Sequence, residues 1–272
     1  MGTITKALEL LTYFSTTRGE IGLANFVRMS GRDKATVRRH LVELEQNGFL
    51  EQNPTTRGYC LGPTVLRLAS VRELHFPVRT AIAPVVDVMA AELGELVHAS
   101  LFQRGVMSPV YHKDPLKHGL RVIFDEGEVL PLHATASGLA MLAFGPENVM
   151  ELVWARELQT FAPNTVVNRS DLLHLIETFR GQGYSFSDEM FTREIASFGM
   201  PFFGPHGDAI GTLAVPLPKS RLNAPVRAAI LAAMQNACRA ITQSCGGTVP
   251  EALSALWVSF ENPAKPNHPG EI

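Results

Sequence analysis

Apolar side chains recur at helical spacing from the first residues onward. Ile4, Ala7, Leu8 and Leu11, with Phe14 near the same face, predict a helix over about 4–16. Arg18-Gly19 breaks the pattern. Leu23, Phe26 and Val27 predict a second, shorter helix over about 22–29, and Ser30-Gly31 the turn after it. A third helix is predicted over about 33–46, opened by Asp33 as N-cap and stopped by Asn47-Gly48. Phe49-Leu50 and Tyr59-Cys60-Leu61 flank a polar turn from Asn53 to Gly58 and read as a β-hairpin. Three helices followed by a two-stranded ribbon, within about sixty residues, is the order of a winged helix-turn-helix domain.

Val65, Leu66, Leu68 and Ala69 follow Pro63 and predict a linker helix, placing a first domain at 1–62 and a linker at 63–78. A long apolar helix over about 79–93 opens a second domain, expected to span 79–248. Strand-like runs follow at Leu96–Phe102, Ser108–Tyr111 and Leu120–Phe124, then helices over about 137–144, 147–156 and 170–182. Phe198–Phe203 and Gly211–Pro216 predict two strands of a hairpin around Pro205 to Asp208, and a last helix covers about 223–245. Strands and helices mix without strict alternation, so the second domain is expected to be α+β. Residues 249–272 read as a C-terminal tail, frayed from about 260 where Pro and Asn accumulate.

A net charge of −2 over 272 residues excludes a generally basic nucleic-acid coat. Residues 1–62 nevertheless hold eight Lys and Arg against six Asp and Glu, so the sign of the asymmetry favours the first domain as the DNA-facing part. Three cysteines, Cys60, Cys238 and Cys245, form no disulfide framework. There is no leader pattern and no apolar run of the ~18 residues that a membrane span needs. A reducing cytoplasm is the expected compartment, with no membrane partner.

The third helix carries the candidate chemistry. With Val37 taken as the core direction, Leu41 and Leu44 share its stripe, Arg39 and Arg32 point nearly opposite, and Thr36 and Arg38 flank them. Arg can pair bidentately with guanine, and Thr can meet a base edge or a phosphate. Lys34 near the helix start and Thr55, Thr56 and Arg57 at the hairpin tip add contacts suited to the sugar-phosphate backbone. The candidate DNA-binding residues are therefore Arg32, Lys34, Thr36, Arg38, Arg39, Thr55 and Arg57. A solvated helix face and a polar turn are the plain alternative for any one of them.

The chain resembles the IclR family of transcription regulators. The likeness is carried by Ala7 to Leu11, Ser30 to Arg39, Gly48 to Glu51 and Tyr59 to Gly62. In the second half it is carried by Leu130 to Gly138, Gly183 to Glu189, Ile195 to Pro201 and Gly211 to Val215. The resemblance implies a GAF-like effector domain, a homodimer or homotetramer, a double-stranded DNA operator and a small-molecule effector that sets repression or activation. It also implies effector contacts at Ala136, Gly138, Ser187, Asp188, Ser197, Ala214 and Pro216. Backbone N–H groups near Ala136 and Gly138, at an expected helix start, suit a carboxylate. Where family members place serines on the last strand, this chain reads Leu213-Ala-Val-Pro-Leu217. With Phe198, Phe202 and Phe203 nearby, this favours a larger or more apolar ligand, such as an aromatic carboxylate.

No cofactor or catalytic group is expected. G-x-S-x-G, Walker, H-E-x-x-H and C-x-x-C patterns are all missing, which argues against an enzyme. A metal-responsive regulator is the other alternative, since nine histidines include His98, His112, His118 and His133, although their spacing matches no standard ligand run.

Overall fold

A computed structural model describes residues 2–103, 105–125, 127, 130–155 and 157–260. The chain divides into two compact units between Pro77 and Val78, the first also taking in the stretch from Asp125.

The first unit is three helices and a ribbon. Helix α1 spans Thr3–Leu11, α2 Leu23–Ser30 and α3 Lys34–Gln46; strands β1 (Leu50–Gln52) and β2 (Tyr59–Leu61) pair antiparallel, Leu50 opposite Leu61. Helix α1 stops well before the expected residue 16. The Thr12 backbone N–H and its hydroxyl both donate to the Glu9 carbonyl, which closes the helix. Phe14 reaches the core from beyond that end. The core joins Leu10, Phe14, Phe26, Val37, Leu41 and Tyr59, with Phe14 and Tyr59 set edge-on to Phe26. Helix α4 (Pro63–His75) follows the ribbon and buries none of its side chains; Leu66 and Leu74 are 73% and 79% exposed.

His40 lies in this core at 3% exposure, and neither ring nitrogen has a partner among the described residues. Burial, then the cations Arg39, Arg32 and Lys6, push its pKa below the ordinary 6.5. The unfolded chain therefore takes up a proton more readily than the folded one. Stability is full above about 6.5 and falls as the pH drops through that value toward the folded pKa. Urea melts at pH 7.5 and 5.5 should show this acid loss for the native protein and a smaller one for His40→Leu. Equal loss in both would place the sensitive group elsewhere.

The second unit is a five-stranded antiparallel sheet with helices on both faces. Helix α5 spans Val78–Leu93, and the strands are β3 (Val97–Gln103), β4 (Val106–Lys113), β5 (Ser185–Asp188), β6 (Ile195–Phe203) and β7 (Ala209–Pro218), in spatial order β4-β3-β7-β6-β5. The remaining helices are α6 (Ala136–Phe144), α7 (Asn148–Trp154), α8 (Arg169–Gln182), α9 (Ala224–Ser244) and α10 (Glu251–Val258). Side chains alternate between faces along a strand. One face, with Phe198, Met200 and Leu213, meets α9, where Cys238 lies against the Met200 carbonyl. The other face meets α6. Pro216 and Pro218 are tolerated in β7 because its pairing with β3 ends at Ala214, so their missing N–H groups cost no ladder bond on that side.

Two expectations need correction here. Leu120–Phe124 is not a strand: it pairs with no neighbour, and Leu120 and Ile123 are 68% and 89% exposed, so its apolar run does not mark a buried face. The stretch after residue 248 is not simply a tail, because α10 folds back and buries Trp257 completely. The fraying expected beyond 260 lies outside the described residues. No single helix among the described residues is long and apolar enough to cross a membrane.

Candidate nucleic-acid surface and ligand site

Asp33 opens α3 by accepting the Thr36 N–H at 2.8 Å, and that bond, the largest cause, holds its carboxyl below the usual range. Val37, Leu41 and Leu44 anchor the buried stripe. Lys34, Arg38 and Arg39 stand exposed on the outer side, and Thr36 is half-buried. Arg32 does not join them. It precedes the helix, so the helical wheel does not apply to it; its guanidinium turns back to pair with Glu9 and donates to the Lys6 carbonyl at 3.1 Å. That ion pair and the Tyr13 hydroxyl lower the Glu9 pKa. Arg32 thus ties α3 to α1.

The hairpin tip is built by Asn53, whose side-chain oxygen accepts from the N–H groups of Thr55 (2.9 Å) and Thr56 (3.3 Å). Arg57 takes a left-handed conformation at φ 61°. Thr55 and Arg57 are exposed, whereas the Thr56 hydroxyl is held by Glu20.

In the second unit, β5, β6 and β7 set Ser187, Ser197 and Pro216 in one cross-strand row; Ser185, Gly199, Ala214 and His98 form the next row on the same face. The start of α6 sits on these rows. Ser185 Oγ donates to the Ala136 carbonyl at 2.7 Å, and Ser187 Oγ to the Ala134 carbonyl at 3.1 Å. Gly199 permits this approach, because a Cβ there would lie 2.4 Å from the Ala136 oxygen. Ala136, Gly138, Ser187, Ser197, Ala214 and Pro216 are therefore brought together between helix start and sheet.

Two of the expected roles change. Asp188 points to the opposite face from Ser187, as adjacent strand residues must, and pairs with Lys219 at 2.8 Å. The Gly138 N–H is not free: it donates to the N-cap hydroxyl of Thr135 at 3.1 Å, and the missing side chain of Gly138 makes room for Leu132. The amides of Ala136 and Ser137 donate no hydrogen bond among the described residues, and the Ser137 hydroxyl is buried without a partner.

Along the same face, one ladder step beyond Ser197 and Pro216, Ile195 and Pro218 open into a cavity of about 710 Å³. Leu120, Arg121, Val122 and Ile123 wall one side, and Glu189 with Thr192 to Glu194 wall the other. Lys219 bridges Asp188 and Glu189, and that bond keeps Glu189 below its ordinary range and Lys219 above. Arg121 pairs with Asp114, while Arg193 has no ion pair among the described residues. None of the residues expected from sequence lines this cavity itself. Among the described residues no group of three His, Cys, Asp or Glu is placed to hold a metal ion. Residues that the sequence reading passed over, Phe124, Ser100 and Thr212, lie on the α6 side of the sheet. Alternation along β3 and β7 could have placed the last two there.

A cation-bearing helix in a three-helix, ribbon-tipped unit, joined to an α+β sheet domain, defines a DNA-binding transcription regulator. The chain belongs to the IclR family: the IclR helix-turn-helix model matches residues 3–54, and the model of the bacterial transcriptional regulator IclR C-terminal domain matches residues 73–243. The crystal structure of an IclR-type regulator from Silicibacter sp. TM1040 is 37% identical, covers 92% of this chain and 99% of its own, and superposes with a TM-score of 0.83. The glycerol operon regulatory protein of Streptomyces coelicolor is 27% identical over 244 residues, 89% of this chain and 95% of its own length. An IclR homolog from Microbacterium hydrocarbonoxydans, solved with 4-hydroxybenzoate, shares the fold at 20% identity and a TM-score of 0.71, over 90% of this chain and 99% of its own. These relatives are regulators and not enzymes, and so is this chain.

Proposed function

We propose that the protein reads an operator through Lys34, Thr36, Arg38 and Arg39 on α3, steadied by Thr55 and Arg57 at the hairpin tip, and that a small carboxylate bound in the second unit controls this binding. The operator reading is supported by one feature above all: α3 buries an aliphatic stripe and leaves three cations exposed on its other side. The ligand reading is supported by the unpartnered amides and hydroxyl at the start of α6, above a sheet surface that leads to an open cavity. Ala136, Ser187, Ser197, Ala214 and Pro216 form the floor and one wall of this site. Ligand enters from the cavity side, past Arg193. Phe198 and Phe202, expected from sequence to line the pocket, face α9 on the other side of the sheet, so the apolar ground of the floor is Ala214 and Pro216 beside the Ser187 and Ser197 hydroxyls, and an aromatic or extended carboxylate would lie over those two residues.

The regulator acts in the cytoplasm as a homodimer or homotetramer. Leu66, Leu68, Val71 and Leu74 on α4, with Ile4 and Leu8 on α1, are exposed apolar groups that a second copy would cover. A twofold dimer would present two α3 helices about one duplex turn (~34 Å) apart to a palindromic operator. Helix α4 joins the two units in sequence and serves as the lever. A Gly-Ser insertion after His75 should leave both DNA and ligand affinities intact while abolishing the effect of ligand on DNA. A preserved ligand response would rule out α4 as the lever.

A further inference from the structure

The α6-facing side of the sheet holds a second polar group, away from the helix start. His98 lies directly opposite Ala214 across the β3–β7 ladder, and Ser100 lies opposite Thr212. The His98 ring is 5% exposed and stacks on Phe124, with centroids 4.4 Å apart. Its Nδ1 lies 3.4 Å from Ser100 Oγ, and its Nε2 makes no hydrogen bond among the described residues. The Thr212 hydroxyl is fully buried with no partner there. The Thr212 hydroxyl, buried and unpaired, is costly to leave so and calls for a partner.

We propose that His98 is a specificity-determining residue that reads an uncharged hydrogen-bonding group, a hydroxyl or an amide, at the end of the effector remote from its carboxylate. This rests on the ligand site proposed above. The chemistry follows from three facts. The rows Ser185–Gly199–Ala214–His98 and Pro201–Thr212–Ser100 contain no Lys or Arg, so a second anion would find no countercharge there. Burial, with His112 opposite, holds His98 neutral, its pKa pushed down to about 3. With Nδ1 beside Ser100 Oγ, the neutral imidazole has Nε2 left, as donor or acceptor according to tautomer, which suits a hydroxyl or amide and gives a carboxylate no ion pair. Phe124 adds a flat apolar surface beside it, and the amides of Ala136 and Ser137 are left for the carboxylate.

The experiment titrates the full-length protein by calorimetry with two matched pairs, benzoate with 4-hydroxybenzoate and pentanoate with 5-hydroxypentanoate. The native protein should prefer the hydroxylated member of at least one pair by about tenfold or more. His98→Phe keeps an aromatic ring against Phe124 and removes both nitrogens, so it should erase that preference, bringing the two members of the pair to within about twofold of each other whichever way their absolute affinities move. His98→Gln keeps a donor and an acceptor and should restore part of the preference; it also serves if the Phe variant fails to fold. Binding without preference, or a preference that survives both substitutions, would overturn the role of His98 and leave the ligand site standing. If no member of either pair binds the native protein at millimolar concentration, both the ligand site and the role of His98 fall.

Discussion

Arg39→Ala should weaken binding to the selected operator by roughly five- to a hundred-fold while lowering binding to unrelated duplex DNA much less. The side chain is exposed on α3, two residues from buried Val37, and makes no ion pair among the described residues. Nothing structural is removed with it, so the loss belongs to the DNA contact. Lys34→Ala should behave differently: as a phosphate contact near the helix start, it should weaken all sequences alike and flatten the salt dependence by about one ion. Fluorescence anisotropy on operator and scrambled duplexes at two salt concentrations separates the two. Equal loss of Arg39→Ala on both duplexes would make Arg39 a backbone contact.

Trp257→Ala should destabilise the second unit by about 3–5 kcal/mol. The indole is fully buried, and its Nε1 donates to the Gly183 carbonyl at 2.7 Å. Truncation opens a large void and leaves that carbonyl without its partner. Gly183 ends α8 in a left-handed conformation at φ 82°, and a Cβ there would press on Leu256 and Trp257. The α8 terminus and α10 are thus fitted to each other, with Arg239 of α9 bonded to Ser254 across the junction. Urea unfolding followed by circular dichroism measures the effect. A loss below about 1 kcal/mol would mean that α10 is an appendage and not part of the core.

What could be read from sequence follows the range of the forces involved. The start and stop of α3 were legible because Asp33 and Asn47-Gly48 act within a single turn. Arg32 was misread because its partner, Glu9, is twenty-three residues away and only the folded unit brings them together. The apolar run at Leu120–Phe124 imitates a strand, but a strand needs a ladder partner, and no local signal shows that one is missing. Helix α10 escaped notice because its anchor is one tryptophan against a distant glycine. The shared placement of Asp188 with Ser187 was avoidable, since adjacent residues of one strand face opposite ways. Ser187, Ser197 and Ala214 are singled out by the family resemblance alone, whereas the face they share becomes visible only in the register of β5, β6 and β7.

In the proposed ligand site, that register would let one face serve two ends of a ligand. The helix start above Gly199 provides unpaired amides, and His98, in the same cross-strand row, provides a neutral imidazole. Such a site binds tightly only when both ends are satisfied, and that is a source of selectivity. Control of DNA binding then requires that ligand favour one arrangement of the assembled regulator over another; a tenfold change in operator affinity corresponds to a coupling of about 1.4 kcal/mol.

The most direct measurement is a titration of the full-length protein against the intergenic DNA upstream of its own gene, at fixed salt, with and without a panel of aromatic and aliphatic carboxylates. Selective binding that one carboxylate shifts by tenfold or more is the expected result. Binding no tighter than to unrelated DNA, with or without any member of the panel, would contradict the account.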